Sequence, residues 1–207
     1  MVKNARSRRG ADRRDRIVEA ALESLKTNGY KGTSTRSIAA IGGFNPALIF
    51  YYFDNLNDLL VAALEQTNGL RLDRYRDAVQ LSTSLPELLD VLRRLYEDDI
   101  ASGHIRVVSE LVAGSVSDPE LGDRVVALMQ PWIELAELGI SKALDGSPAL
   151  ELVSARELAL AAVTFYLGAN LVAHLGPGAD EVRRLLDSAT MLAPLVDRLG
   201  GSSRRRS

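Results

Sequence analysis

The chain has 207 residues, a formal net charge of -2, no cysteine and only 5% aromatic residues. That length supports one large or two small domains with a substantial core, and the lack of cysteine excludes a disulfide framework or a thiolate metal site. Helix formers dominate and alternating β-branched runs are scarce, so the expected class is all-α.

The N-terminus is arginine-rich without the apolar core of a signal peptide. The longest apolar stretch, Leu158 to Leu175, is broken by Thr164, Gly168, Asn170 and His174. It reads as a buried helix rather than a membrane span, and the expected location is the cytoplasm. Charge is unevenly spread. Residues 1–53 hold ten basic residues (Lys3, Arg6, Arg8, Arg9, Arg13, Arg14, Arg16, Lys26, Lys31, Arg36) against four acidic ones, +6 in all. The remaining 15 basic and 23 acidic residues leave 54–207 at -8. A basic module joined to an acidic one is the pattern of a DNA-binding domain attached to a body that DNA repels.

In chain order, residues 1–11 read as a disordered basic arm whose Arg6, Arg8 and Arg9 either follow phosphates or form a solvated tail. A first helix is expected from Asp12 to Thr27, burying Ile17, Ala20, Ala21 and Leu25, with Gly29 as its stop. Ser34 and Thr35 supply hydroxyls before the apolar-periodic Ile38, Ala39 and Ile41, so a short helix starts there and ends at Gly42-Gly43. Asn45-Pro46 restarts a helix, Asn as cap and Pro at the first helical position. Two short helices about a glycine turn make a helix-turn-helix. Ile38, Ile49 and Phe53 are expected to share a small core, leaving Ala47, Leu48, Tyr51 and Tyr52 outward. That uncharged, partly aromatic face suits a major groove, although a plain helical hairpin gives the same pattern.

The residues Gly29-Tyr30, Thr33-Ser34, Ile38-Ala39, Gly43-Phe44, Phe50 to Phe53 and Asp58-Leu59-Leu60 stand in the register of one known motif. From Ile17 to Leu60 the chain resembles the DNA-binding domain of the TetR (tetracycline-repressor) family. The resemblance implies a base-reading role for Arg36. It also marks two departures: Phe50 stands where the family has a phosphate-contacting tyrosine, and Leu56 where it has a lysine. Phosphate anchoring is then expected from Ser34, Thr35, Tyr51, Tyr52, helix N-termini and the basic arm. The candidate DNA-binding set is Ser34, Thr35, Arg36, Asn45, Ala47, Leu48, Tyr51 and Tyr52.

Beyond residue 56 the expected helices start at Asn57-Asp58 (to about Gln80), Pro86 (to about Ala101), His104 (to about Ser115) and Asp118-Pro119, the last kinked by Pro131. Ser154 with Glu157 is a capping box opening a helix that ends near Gly176-Pro177-Gly178, and a final helix runs from about Asp180 to Leu199. The expected organisation is a basic arm (1–11), a helix-turn-helix domain (12–56), an effector-binding and dimerisation domain (57–199) and a disordered tail (200–207), with about nine helices.

No catalytic constellation, cofactor motif or metal-ligand spacing involving His104 or His174 is present, so an enzyme is not expected. The helix from Ser154 has two apolar stripes, one with Leu158, Ala162, Phe165, Ala169 and Val172, the other with Leu160, Thr164, Leu167, Leu171 and Leu175. A helix apolar on two sides needs two partners. The candidate dimerisation set is Phe165, Leu167, Leu171, Leu185 and Ala189. A candidate pocket for a largely apolar effector draws on Tyr96, His104, Val108, Met129, Trp132, Phe165, Tyr166 and Asn170, each of which is equally a core residue by type. The expected function is a homodimeric, ligand-responsive regulator of a palindromic operator, most simply a repressor. The alternative is a helical interaction or scaffold protein of the same fold without an operator.

Overall fold

The computed structural model describes residues 2–173 and 178–201. Among them are ten α-helices and no strand: α1 (Val2–Gly32), α2 (Thr35–Gly42), α3 (Ile49–Tyr52) preceded by a 3-10 turn at Pro46–Leu48, α4 (Leu56–Leu81), α5 (Leu85–Ser102), α6 (His104–Ser115), α7 (Pro119–Ala143), α8 (Ala149–Leu152), α9 (Ala155–Ala173) and α10 (Gly178–Gly201). The all-α expectation holds. The additional helix, α8, is a single turn set off by Pro148 and too short to carry a periodic signal.

Three boundaries differ from expectation for identifiable reasons. Residues 2–11, expected as a disordered arm, belong to α1. Extending an existing helix needs no new nucleation, and Ala5, Arg6, Arg8, Arg9 and Ala11 are good helix formers. Asn45 caps as expected, its Oδ1 accepting from the Ala47 N–H at 2.9 Å, but the restart is a 3-10 turn before α3. Gly200 and Gly201, expected in the tail, close α10. Residues 202–207, His174, Leu175 and the expected stop at Gly176-Pro177 lie outside the described residues.

Contacts divide the chain into two compact units, Met1–Gly69 with Gly103–Leu128, and Leu70–Ser102 with Met129–Ser207. This interleaved division differs from a linear boundary at residue 56, because α6 packs on α1 and so joins the first unit. Both α4 and α7 run through the division.

The first unit is built on Ile17, Val18, Ala21 and Leu25 of α1, with Ile38, Ile49, Leu59, Leu60 and Leu64, all fully buried. Each valine, leucine or isoleucine among them contributes about 1.5–3 kcal/mol by leaving water. Ile38 and Ile49 are buried and Phe53 nearly so, as the spacing predicts. A break in α1 at Gly29 (φ 69°, ψ 178°) redirects the chain into α2. The break is held from α6: the Tyr30 N–H donates to Glu110 Oε2 at 2.7 Å. Further ties reach the start of α7, where Asn57 Nδ2 donates to Asp118 Oδ2 at 2.6 Å and Arg124 pairs with Asp58 at 2.5 Å.

The second unit has two apolar clusters. One joins Leu72, Tyr75 and Val79 of α4 to Val91 of α5 and Leu135 of α7, with Trp132 packed against it. The other joins Tyr96 of α5, Ala169 of α9, and Val182 and Leu186 of α10, with Tyr166 against it. Outside them, Arg156 of α9 reaches Glu137 at 3.0 Å and Gln130 at 3.2 Å on α7. At the start of α9 the expected capping box is present, Ser154 N–H to Glu157 Oε2 at 2.9 Å and Glu157 N–H to Ser154 Oγ at 3.2 Å.

Gly29 occupies a backbone region essentially restricted to glycine, and a Cβ there would lie 2.8 Å from Glu110 Oε2. Gly29→Ala is expected to destabilise the protein by about 1–3 kcal/mol. A urea unfolding midpoint unchanged from wild type would show that the break tolerates a side chain.

Candidate DNA-reading face and a buried polar cluster

The reading face depends on hydroxyl groups that fix α2 against α1. Ser34 caps α2, its Oγ accepting from the Ser37 N–H at 3.2 Å, and Ser37 Oγ accepts from the Ser34 N–H at 2.8 Å. Behind this box, the fully buried Ser24 lies 3.1 Å from Thr33 Oγ1 and 3.2 Å from Ser37 Oγ. Thr33 Oγ1 donates to the Gly29 carbonyl at 2.7 Å. At the far end of α2, Gly43 (φ 66°) supplies the left-handed turn and Arg16 Nη2 donates to the Gly42 carbonyl at 3.2 Å. A cation at a helix C-terminus also opposes its partial negative charge.

These supports leave one surface open. Ser34, Arg36, Asn45 and Ala47 are exposed, Thr35, Leu48 and Tyr52 half-buried, and Tyr51 is 79% exposed. The Tyr51 and Tyr52 rings meet edge to face at 5.0 Å, which orients both. Asn45 spends its side-chain oxygen on the cap. Phe50 is exposed, so a bare ring stands where a tyrosine hydroxyl was expected from the motif. Sequence reading missed Ser24 and the support roles of Arg14 and Arg16. Arg14 lies 5.1 Å over the Phe53 ring. Their signal is indirect: a hydroxyl on the buried stripe of α1 must find polar partners.

The residues proposed for an effector separate into groups. His104 and Val108 are buried in the first unit, whereas Tyr96, Met129, Trp132, Phe165, Tyr166 and Asn170 belong to the second. Phe165 is 44% exposed and lines a groove of about 410 Å³ between α9 and α10 with Gly168, Val172 and Leu185. Leu171 and Leu185 are exposed, and Leu167 and Ala189 half-buried. Met129 is half-buried and belongs to neither apolar cluster.

Tyr166 instead turns to a pair absent from the sequence-based set. Its hydroxyl donates to Asp99 Oδ2 at 2.5 Å. Asp99 is 1% exposed and forms an ion pair with Arg71, whose guanidinium lies 5.7 Å over the Trp132 ring. Asn170 Nδ2 donates to the Tyr166 carbonyl at 2.8 Å. Alongside, Tyr75 donates to Asp98 Oδ2 at 2.5 Å, and Arg74 pairs with the same oxygen at 3.2 Å. Burial pushes the Asp99 carboxyl up to about 6 despite the opposing pull of Arg71 and the Tyr166 hydroxyl. Burial, then the Asp99 charge, lift the Tyr166 hydroxyl far above the ordinary tyrosine range, so it stays protonated and donates. The sequence signal was a charge on an apolar stripe: Asp99 follows Leu92, Leu95 and Tyr96 in helical register.

The caps, the glycine turn and the open face make a helix-turn-helix. Residues 17–63 match the model for bacterial regulatory proteins of the tetR family. The DNA-binding transcriptional repressor TetR of Mycobacteroides abscessus is 30% identical over 122 residues, covering 55% of this chain and 64% of that protein. The fatty acid metabolism regulator protein of Bacillus subtilis is 22% identical over 122 residues, 58% of this chain and 62% of that protein. The matches span less than two thirds of the length of these curated relatives. Among solved structures, the transcriptional regulator FadR from Bacillus subtilis, in complex with stearoyl-CoA, superposes with a TM-score of 0.70 at 16% identity. That superposition covers 86% of this chain and 96% of that one, and it shows a shared fold. No single described helix is long and apolar enough to cross a membrane.

The raised Asp99 value has a sign. The folded state binds the Asp99 proton more tightly than the unfolded chain, whose carboxyl titrates near 4. Wild type is therefore expected to lose stability, relative to Asp99→Asn, as pH rises from about 4 to about 6, the full effect being ~3 kcal/mol. Urea unfolding of both proteins across that range measures it. Parallel pH curves would mean that the Asp99 proton is held no more tightly in the folded chain.

Proposed function

We propose that the protein is a cytoplasmic, ligand-responsive repressor that binds a palindromic operator as a homodimer and leaves it when an apolar effector enters the second unit. The observation that carries the DNA-reading part is the exposed surface of Arg36, Ala47, Leu48, Tyr51 and Tyr52, held open by side chains committed to caps and core. Arg36 is the base reader, since arginine pairs bidentately with guanine, and Ala47 and Leu48 offer apolar contact to thymine methyl groups. Ser34, Thr35 and the tyrosine hydroxyls anchor phosphate. Asn45 positions the turn.

The dimer is proposed along α9 and α10, where a second copy fills the groove lined by Phe165 and Leu185 and covers Leu171. Two-fold pairing of these helices makes a four-helix bundle and sets two reading heads on one duplex face. The effector reading is supported by the polar and aromatic cluster in the second unit, and by the fatty-ligand complex of the similarly folded Bacillus subtilis regulator. Such a ligand acts through differential affinity for the two states, and α4 and α7 are the covalent routes from the second unit to the first.

Selection from a random duplex pool tests the whole reading, with enrichment of an inverted repeat as the expected result. If no sequence is enriched, the chain is a helical interaction protein of this fold, a reading favoured by the exposed Phe50. On the selected site, Arg36→Ala is expected to lose about 1–3 kcal/mol of affinity while binding to random DNA stays unchanged. Equal losses on both would make Arg36 a phosphate contact. Leu171→Glu is expected to sediment as a monomer, and a dimer in that variant would place the interface elsewhere.

A further inference from the structure

DNA reading and dimer formation leave the buried Arg71–Asp99 pair without a role. Packing alone does not explain it either, since a buried ion pair is commonly no more stabilising than apolar side chains of the same volume. We infer that Arg71 is the anchor for an anionic headgroup, a carboxylate on an apolar body, and that Asp99 occupies this anchor until the ligand arrives. The inference rests on the effector reading given above and names the chemistry of that effector.

Three observations support the anchor. The Arg71 Nε–H is buried and has no acceptor among the described residues, while the pair with Asp99 is made through Nη2. A carboxylate accepts from guanidinium donors in pairs, and the Nε edge, Nε with Nη2, opens to it when Asp99 leaves Nη2. Trp132 lies over the guanidinium face, which holds the plane and leaves the donor edges open. Apolar side chains flank the pair on both sides, the Leu72, Val79 and Leu135 cluster behind Trp132 and the Tyr96, Ala169 and Leu186 cluster behind Tyr166. That combination suits an amphiphile with one charged end.

The exchange is within reach because burial already pushes the Asp99 carboxyl up to about 6, so a small further rise protonates it near neutral pH. A second carboxylate beside it raises its proton affinity further, so Asp99 takes up a proton and turns from competitor to donor. The groups facing it are Arg71 of α4, Tyr166 of α9, and Asp98 next to it on α5. Asp98 is engaged by Tyr75 and Arg74 of α4, whose partners need not change. Trp132 of α7 and Asn170 of α9 bring no charge. A cationic ligand would meet Arg71 instead, and a neutral alcohol would gain no charge-assisted bond.

The test uses the full chain and three probes of one length, decanoate, decanol and decyltrimethylammonium, with affinity read by calorimetry. Decanoate is expected to bind about tenfold or more tightly than decanol, with no binding of the ammonium ion. Its affinity should rise as pH falls from about 8 to about 6, by up to about tenfold per pH unit, because the complex holds one more proton. Asp99→Asn should bind decanoate at least as tightly as wild type and without that pH dependence, whereas Arg71→Gln should lose about tenfold or more. The wild-type pH profile and Asp99→Asn decide the matter even if Arg71→Gln does not fold. Decanol or the ammonium ion binding as well as decanoate overturns the headgroup assignment and leaves the effector reading standing. No binding of any probe overturns both. Loss of decanoate binding in Asp99→Asn shows the pair to be a structural brace, which also overturns the proposal.

Discussion

The hydrogen bond from the Tyr30 N–H to Glu110 holds the break in α1 against α6. A helix that breaks exposes backbone donors that need a partner, and here the partner is a carboxylate from another helix, 80 residues on. An acceptor with charge makes this one of the stronger hydrogen bonds of the unit. It ties the N-terminal helices to α6, while Asn57–Asp118 and Asp58–Arg124 tie the start of α4 to the start of α7. The unit that holds the helix-turn-helix is thus larger than its three N-terminal helices.

A second consequence concerns how the surface stays open. In a short helix-turn-helix most polar groups are spent on holding the backbone: Ser24, Thr33, Ser34 and Ser37 on one helix start, Asn45 on the other, Arg16 on the intervening carbonyl. What remains outward is Arg36 and a small apolar and aromatic patch. Groups fixed in this way have little conformational freedom left to lose on contact with a ligand.

In the second unit the constraint is the reverse, because polarity sits inside. Arg71 and Asp99 are withdrawn from water, and Tyr166 and Trp132 complete their surroundings. A charge so placed is expensive unless matched, and it stores specificity that an apolar core lacks. Phe165 and Val172 of α9 line a groove shared with Val182 and Leu185 of α10.

The sequence by itself determined the helices and their punctuation, because caps, prolines and glycines act over a few residues: Ser34, Asn45, Pro119 and Ser154 start helices where their chemistry requires. It also determined which face of this segment turns inward, since Ile38, Ile49 and Phe53 fix that by period alone. Only tertiary structure decided which helices share a unit and which polar residues meet. Glu110 and Tyr30, or Arg71, Asp99 and Tyr166, are brought together from distant points by packing. For the same reason the eight residues chosen by type as a pocket are divided between two units. Local chemistry sets where an element begins and ends; partners across the core are chosen by how the apolar faces dock, and no spacing along the chain records that choice.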